Sequence, residues 1–247
     1  MTKLDPGLGY RTALVTGASS GIGLSLVEVL CGAGLTVHAV ARRADRLEAL
    51  AAQTGCIPHV LDVTDRAGCA EVLGGLEPDV LVNNAGASFK AALQDYDPDR
   101  IDAILDLNLR AVLQLTRLFL PGMLKRNRGH VVVVGSMAGH YPMEGSALYS
   151  AAKAGISHAF DVLRFDTLGS RLRWTEVAPG RVATEVFAVS TGDPEIARTQ
   201  FLSKETLQAA DVAASILHAL AAPPHVNVSR IEIYPVKQTS GGFSYAD

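Results

Sequence analysis

Hydrophobic and polar positions along the chain follow two alternating rhythms. Short apolar runs bounded by glycine, asparagine or charged residues predict strands over 11–16, 35–41, 57–61, 79–82, 131–134, 174–177 and 230–234. Between them, apolar residues recur at helical spacing. Leu24, Leu26, Val27, Val29 and Leu30 form one face of a helix that ends near Gly32 and Gly34. Further helices are predicted over 44–52, 64–73, 98–126, 147–168 and 208–220, and the longest carries two candidate break points, Asn108 and Pro121. Strand and helix alternate without a Pro/Ser-rich linker, a composition break or a short repeat. Such alternation implies a parallel sheet covered by helices on both faces and joined by right-handed crossovers. The expectation is one doubly wound α/β domain of about seven strands over 1–247.

Composition removes several function classes. With 48% hydrophobic and 19% charged residues, the 247-residue chain has the make-up of a globular protein with a substantial core. A formal net charge of −3 and dispersed arginines give no basic stripe for nucleic acid. No apolar run approaches the roughly 18 residues of a membrane helix, and the N-terminal residues carry no apolar signal core, so a cytoplasmic protein is expected. Cys31, Cys56 and Cys69 lack CxxC spacing and histidine partners, which reads as free thiols and no metal site.

The chemistry is concentrated at the ends of the predicted strands. Gly17, Ala18, Ser19, Ser20, Gly21, Ile22 and Gly23 connect the first strand to the first helix. Glycine allows the tight turn and the close approach of a pyrophosphate, the helix N-terminus presents free N–H groups, and the two serines add donors. Arg42 and Arg43 follow the second strand, where NAD-preferring folds place an acid. Guanidinium groups there suit a ribose 2′-phosphate, and so NADP; the plain alternative is that they open a solvated helix together with Arg46. Asp62 and Val63 end the third strand as candidates for the adenine, and Asn83, Asn84, Ala85 and Gly86 end the fourth at the same sheet edge. Tyr149 and Lys153, four apart in a predicted helix, share one face, and Ser136 ends the strand before them. Together they offer a phenol, a cation to stabilise its phenolate and a second hydroxyl: a proton-transfer site.

The run TGASSGIG over 16–23, NNAG over 83–86, Asn108, Ser136, the Tyr149/Lys153 pair and PGRVAT over 179–184 together resemble the short-chain dehydrogenase/reductase family, over about residues 10–235. The resemblance implies a Rossmann-like fold and an NADP(H)-dependent oxidoreductase that interconverts an alcohol and a carbonyl by hydride transfer. It makes Tyr149 the general acid/base, Ser136 the substrate hydrogen-bond donor, and Lys153 a ribose ligand that lowers the phenol pKa. Asn108 holds a water of a proton relay. Pro179, Gly180, Val182 and Thr184 serve the nicotinamide side, with Thr184 on the carboxamide. The ending from Ile231 to Gln238, without a double glycine, is similar to that of NADP-dependent 3-hydroxy-acid and serine dehydrogenases. A non-catalytic NADP-binding regulator and a reductase of a sugar, polyol, aldehyde or 3-oxoacyl substrate are the alternatives. The resemblance also implies a homodimer or homotetramer joined through the long helices around Asn108 and Ala151. His140, Tyr141, Met143 and Glu144 are candidate pocket residues or a loop packed on itself. Arg181 is a candidate carboxylate ligand or an outward-facing arginine. Residues 187–206 are expected to form a substrate lid, and 239–247 a frayed or intersubunit tail.

Overall fold

A computed structural model describes residues 8–185 and 205–239. Seven strands lie in one sheet: β1 (Thr12–Thr16), β2 (Thr36–Ala41), β3 (Ile57–Val60), β4 (Val80–Asn83), β5 (Gly129–Val134), β6 (Leu172–Pro179) and β7 (Arg230–Ile233). Their order is β3-β2-β1-β4-β5-β6-β7 and every pairing is parallel. Strand order reverses after β3, so β1 and β4 are neighbours whose carboxyl ends open a crevice, the place where a doubly wound sheet takes ligands.

Period-two alternation divides the core. Val131 and Val133 point to one face with Leu14, Val40, Leu81 and Phe160. Val132 and Val134 point to the other with Ala13, Val15, Leu26 and Ile216. Both faces are covered by helices, which explains why β5 is buried over its whole length while edge strand β3 is largely exposed.

The helices are α1 (Gly21–Gly32), α2 (Ala44–Thr54), α3 (Arg66–Leu73), α4 (Pro98–Leu105), α5 (Ala111–Arg126), α6 (Ala147–Asp166) and α7 (Ala209–Ala221). Their ends follow local chemistry. Asp65 accepts the Gly68 N–H at 3.0 Å and so begins α3 two residues later than the apolar pattern suggests. Asp97 caps α4 ahead of Pro98, and Gly55 and Asn127 end α2 and α5 in the left-handed conformation. Of the two candidate break points, Pro121 lies within α5, whereas Asn108 sits in a π-helical turn, Asp106–Arg110, between α4 and α5. Such a turn inserts one residue into the ladder and re-aims a side chain, which is why it recurs at functional sites.

β6 extends beyond the predicted 174–177 to Leu172–Pro179, and the polar Arg173 in the added part is buried with its guanidinium held by the Tyr10 hydroxyl and the Leu220 and Ala222 carbonyls. The expected lid over 187–206 lies outside the described residues except for Glu205 and Thr206, as does the tail beyond Thr239.

Candidate active site

At the carboxyl end of β1 the chain turns at Gly17 with φ +67°, and a Cβ there would come within 2.9 Å of the Ala85 Cα. A Cβ on Gly23 would overlap the Gly17 carbonyl oxygen, so the helix start and the turn are in direct contact. Asn84 fastens this turn to β4: its Nδ2 donates to the Thr16 carbonyl at 2.9 Å and approaches that of Gly17 at 3.4 Å. Thr16, outside the sequence-derived set of site residues, is the hub. Its Oγ1 accepts the N–H groups of Asn84 and Ala85, each at 3.0 Å, and donates to the Val82 carbonyl at 3.3 Å.

Ser20 precedes α1 without a side-chain cap, and no acid occupies the first turn. The N–H groups at this end therefore keep their capacity for an anion. Arg43 reaches across from the end of β2, donating from Nε to Ser19 Oγ at 3.0 Å and from NH2 to Ser20 Oγ at 2.6 Å. Its NH1 pairs with Glu185 at 2.9 Å, and Arg46 grips the same carboxylate at 2.7 Å. A cavity of about 310 Å³ beside the turn is lined by Ser19, Ser20, Leu24, Arg46, Gln53 and Glu185 among others. Arg42 takes a different direction: its side chain is 76% exposed and meets Asp62 at 3.5 Å. Asp62 also accepts two bonds from Thr64, while Val63 is buried. The glycine cradle, the uncapped helix start and the serine–guanidinium cluster fit a phosphate-bearing dinucleotide on grounds of shape and charge alone.

The candidate proton-transfer residues meet at the ends of β4 and β5. Lys153 is buried and donates from Nζ to the Val134 carbonyl at 2.8 Å, with its nitrogen 5.7 Å from the centre of the Tyr149 ring. Ser136 faces the Tyr149 phenol, and its Oγ accepts the Ala138 N–H at 3.1 Å, which sets the one-turn 3-10 segment Met137–Gly139. That turn lies on α6, where a Cβ on Gly139 would be 2.9 Å from the backbone carbon of Lys153. A Cβ on Gly86 would be 2.9 Å from Asn108 Oδ1 and 3.7 Å from Lys153 Nζ, so NNAG, the π-turn and α6 converge on one point.

Fully buried Asn108 donates from Nδ2 to the carbonyls of Ala87 (2.9 Å) and Ile104 (3.0 Å). Its Oδ1 accepts no hydrogen bond among the described residues, leaving an acceptor aimed at the site. A buried acceptor of this kind requires a water or ligand donor.

Electrostatics here differ from the simplest reading of the pair. Burial pushes the Tyr149 phenol above its ordinary value, and only the Ser136 hydrogen bond opposes it. Burial lowers Lys153 from 10.5 to about 8, opposed by the charge of Glu176. At the phenol, desolvation therefore outweighs the hydrogen bond that opposes it.

On the other side of the crevice Gly180 donates to the Ile233 carbonyl at 2.7 Å at the end of β6 and Pro179. Val182 forms a parallel bridge with Leu207, and the Thr184 methyl carbon lies 3.1 Å from a Cβ position on Gly21. Ile22, half-buried, follows at the start of α1. The PGRVAT segment therefore closes over the glycine turn. Arg181 is buried, contrary to an outward-facing placement, and its backbone N–H is held by the Gln238 side chain at 2.8 Å. His140 is tied inward to Glu176, whereas Tyr141 donates to the exposed Glu232 at the surface. Among the described residues no group of three or more His, Cys, Asp or Glu side chains is placed to hold a metal, and no helix is long and apolar enough to cross a membrane.

The short chain dehydrogenase family profile matches residues 11–194. The chain belongs to the short-chain dehydrogenase/reductase family. An uncharacterised short-chain type dehydrogenase/reductase of Sinorhizobium fredii is 39% identical over 234 residues, covering 94% of each chain. The NADP-dependent 3-hydroxy acid dehydrogenase YdfG of Salmonella typhimurium is 35% identical over 246 residues, covering 94% of this chain and 97% of the relative. Among solved structures, the closed form of a serine dehydrogenase complexed with NADP+ superposes with a TM-score of 0.91 at 32% identity, covering 96% of this chain and all of that one. The serine dehydrogenase of Escherichia coli does so with a TM-score of 0.81 at 31% identity. The short-chain dehydrogenase fold over the described residues is therefore that of its relatives, and the convergence of NNAG, Asn108, Ser136, Tyr149 and Lys153 occurs within it.

Proposed function

We propose that this short-chain dehydrogenase is an NADP(H)-dependent oxidoreductase that interconverts a secondary or primary alcohol and its carbonyl, with Tyr149 as general acid/base. The observation that carries the reading is the convergence of Ser136, Tyr149 and the buried Lys153 beyond the end of β5, with the Lys153 nitrogen anchored on the Val134 carbonyl and 5.7 Å from the centre of the Tyr149 ring. The nicotinamide cofactor, when bound, accepts or supplies the hydride at the carbinol carbon. The chain's own residues handle the proton and the geometry. In oxidation the deprotonated Tyr149 oxygen takes the hydroxyl proton as the carbon gives up its hydride and the C–O bond becomes a carbonyl; in reduction the phenol returns that proton to the forming alkoxide. Ser136 donates to the same substrate oxygen, fixing it against the phenol. Lys153, anchored on Val134, has two further N–H donors for the ribose and contributes positive charge near the phenol. Asn108 Oδ1 accepts a water that carries protons between Lys153 and bulk solvent.

Arg43, Ser19 and Ser20 hold the 2′-phosphate end, with Arg42 and Asp62 along the adenosine side. The NADP preference is supported by this cation cluster and by the relatives described as NADP-dependent. A hydroxy acid or hydroxyl-bearing amino acid is the favoured substrate class, on the names of those relatives. The protein acts as a homodimer or homotetramer through α5 and α6, a reading supported by Val162, Phe165 and Leu168, which stand 44%, 77% and 86% exposed.

The test is a panel of hydroxy acids, polyols, aldehydes and 3-oxoacyl thioesters, followed at the reduced-nicotinamide absorbance band with NADPH and NADH in parallel. Turnover of a hydroxy acid with NADP+ is expected, and Tyr149→Phe abolishes it while leaving cofactor affinity nearly unchanged. Cofactor binding without turnover of any member of the panel returns the non-catalytic regulator as the better reading.

A further inference from the structure

Glu176 lies in the middle of β6, a strand buried along its whole length, and is itself 2% exposed. A carboxylate in such a place requires partners, because desolvating an unpaired charge costs several kcal/mol. Its partners come from four elements. Ser157 of α6 donates to Oε2 at 2.8 Å, and Arg230 of β7 donates from Nε to the same oxygen at 3.0 Å. His140, at the end of the turn begun by Ser136, donates from Nε2 to Oε1 at 3.0 Å. Gly135 of the β5 end packs against Oε1 so closely that a Cβ there would overlap it.

Three of those four contacts are neighbours of the reacting groups. Gly135 follows Val134, whose carbonyl receives Lys153 Nζ. Ser157 is one helical turn after Lys153 on the same face of α6. His140 belongs to the loop that leaves Ser136. The charged groups around the carboxylate are Arg230 from β7 and, through Arg230 at 3.5 Å, Asp161 of α6, together with the titratable His140; Lys153, one helical turn before Ser157, feels the carboxylate through space.

We propose that Glu176 is a positioning residue of the reaction: its buried carboxylate keeps the Lys153 ammonium charged and, through His140, fixes the loop that carries Ser136. The proposal rests on the reading of Tyr149 and Lys153 given above. Charge is the point of the arrangement. A buried ion pair such as Glu176–Arg230 is seldom more stabilising than apolar packing, so the acid is accounted for by what its charge does to the neighbouring Lys153. Without it, burial alone acts on Lys153, whose proton is then lost at lower pH.

The experiment compares Glu176→Gln and Glu176→Asp with the unmodified full chain. Lys153 is followed by NMR of 13C-lysine-labelled protein without cofactor and assigned with Lys153→Met; kcat and KM are measured against pH. Expected for Glu176→Gln is a fall of about one pH unit in the Lys153 midpoint, with the alkaline fall in kcat moving by the same amount and KM changing little. Glu176→Asp restores most of both. An unchanged Lys153 midpoint in folded Glu176→Gln, with only a lowered melting temperature, overturns the proposal. Should Glu176→Gln fail to fold, Arg230→Met serves instead: it leaves the carboxylate less compensated, so the Lys153 midpoint rises, and no rise overturns the proposal equally. The titration is read without turnover. Activity surviving Tyr149→Phe would therefore remove the acid/base reading alone, and an unmoved lysine with inactive Tyr149→Phe would remove Glu176 alone.

Discussion

Lys153 Nζ donates to the Val134 carbonyl at 2.8 Å, so the strand that leads to Ser136 also anchors the lysine that lies 5.7 Å from the centre of the Tyr149 ring. Burial brings Lys153 to about 8 from 10.5. Because the folded value lies below the unfolded one, the unfolded chain holds more protons between these values and stability rises with pH across the window. The shift corresponds to about 3 kcal/mol. Denaturant unfolding of the ligand-free protein from pH 7 to pH 10 should show this rise in the unmodified chain and not in Lys153→Met. From pH 9 the raised Cys69 and Cys31 thiols, and above pH 10 the raised Tyr149 phenol, work in the opposite direction, so the Lys153 contribution is read as the difference between the two proteins up to pH 10. Parallel pH dependences in the two proteins would show that Lys153 is not desolvated as described.

Arg43 rather than Arg42 touches the serines of the glycine turn. Arg43→Ala should weaken NADPH by roughly 10- to 100-fold, the worth of one or two charge-assisted hydrogen bonds, and NADH several-fold less. Arg42→Ala should have the smaller effect, its side chain being mostly exposed and loosely paired. Direct titration by cofactor fluorescence checks this, and equal losses for the two cofactors in Arg43→Ala would remove the 2′-phosphate role.

Thr16 Oγ1 satisfies two backbone N–H groups at the end of β4. Thr16→Val keeps the shape and leaves both N–H groups unpaired, at a cost of about 2–4 kcal/mol. Urea unfolding should register that loss, and cofactor affinity should fall with it because Asn84 loses its register against Gly17. A variant as stable as the original would mean that water replaces the hydroxyl.

Phe165 and Leu168 place large apolar groups in solvent at the end of α6. If they meet a second copy, Phe165→Glu combined with Leu168→Glu loses at least about 3 kcal/mol of association, about a hundredfold in the dissociation constant. Light scattering after size exclusion should show a smaller, folded species. An unchanged mass would place the contact elsewhere.

The sequence by itself determined the order of strands and helices, the glycine turn and the Tyr149/Lys153 pair, because these are local: apolar period, glycine at a turn with positive φ, and residues one helical turn apart on a shared face. It also located the long-helix irregularity at one of two residues, and the fold chose Asn108, where a π-turn aims the amide inward while Pro121 stays within the helix. Tertiary structure alone decided the roles of Thr16, Glu176, Glu185 and Gln238, whose partners are distant in sequence and lie on other elements. Glu176 left a trace, an acid inside an apolar strand, but its meaning depends on which side chains the β5–β6–β7 pairing and α6 bring against it. The direction of each arginine was likewise set by packing. Arg42 and Arg43 are neighbours in the chain, and the approach of the glycine turn to β2, not their residue type, directs Arg43 to the serines and leaves Arg42 in solvent.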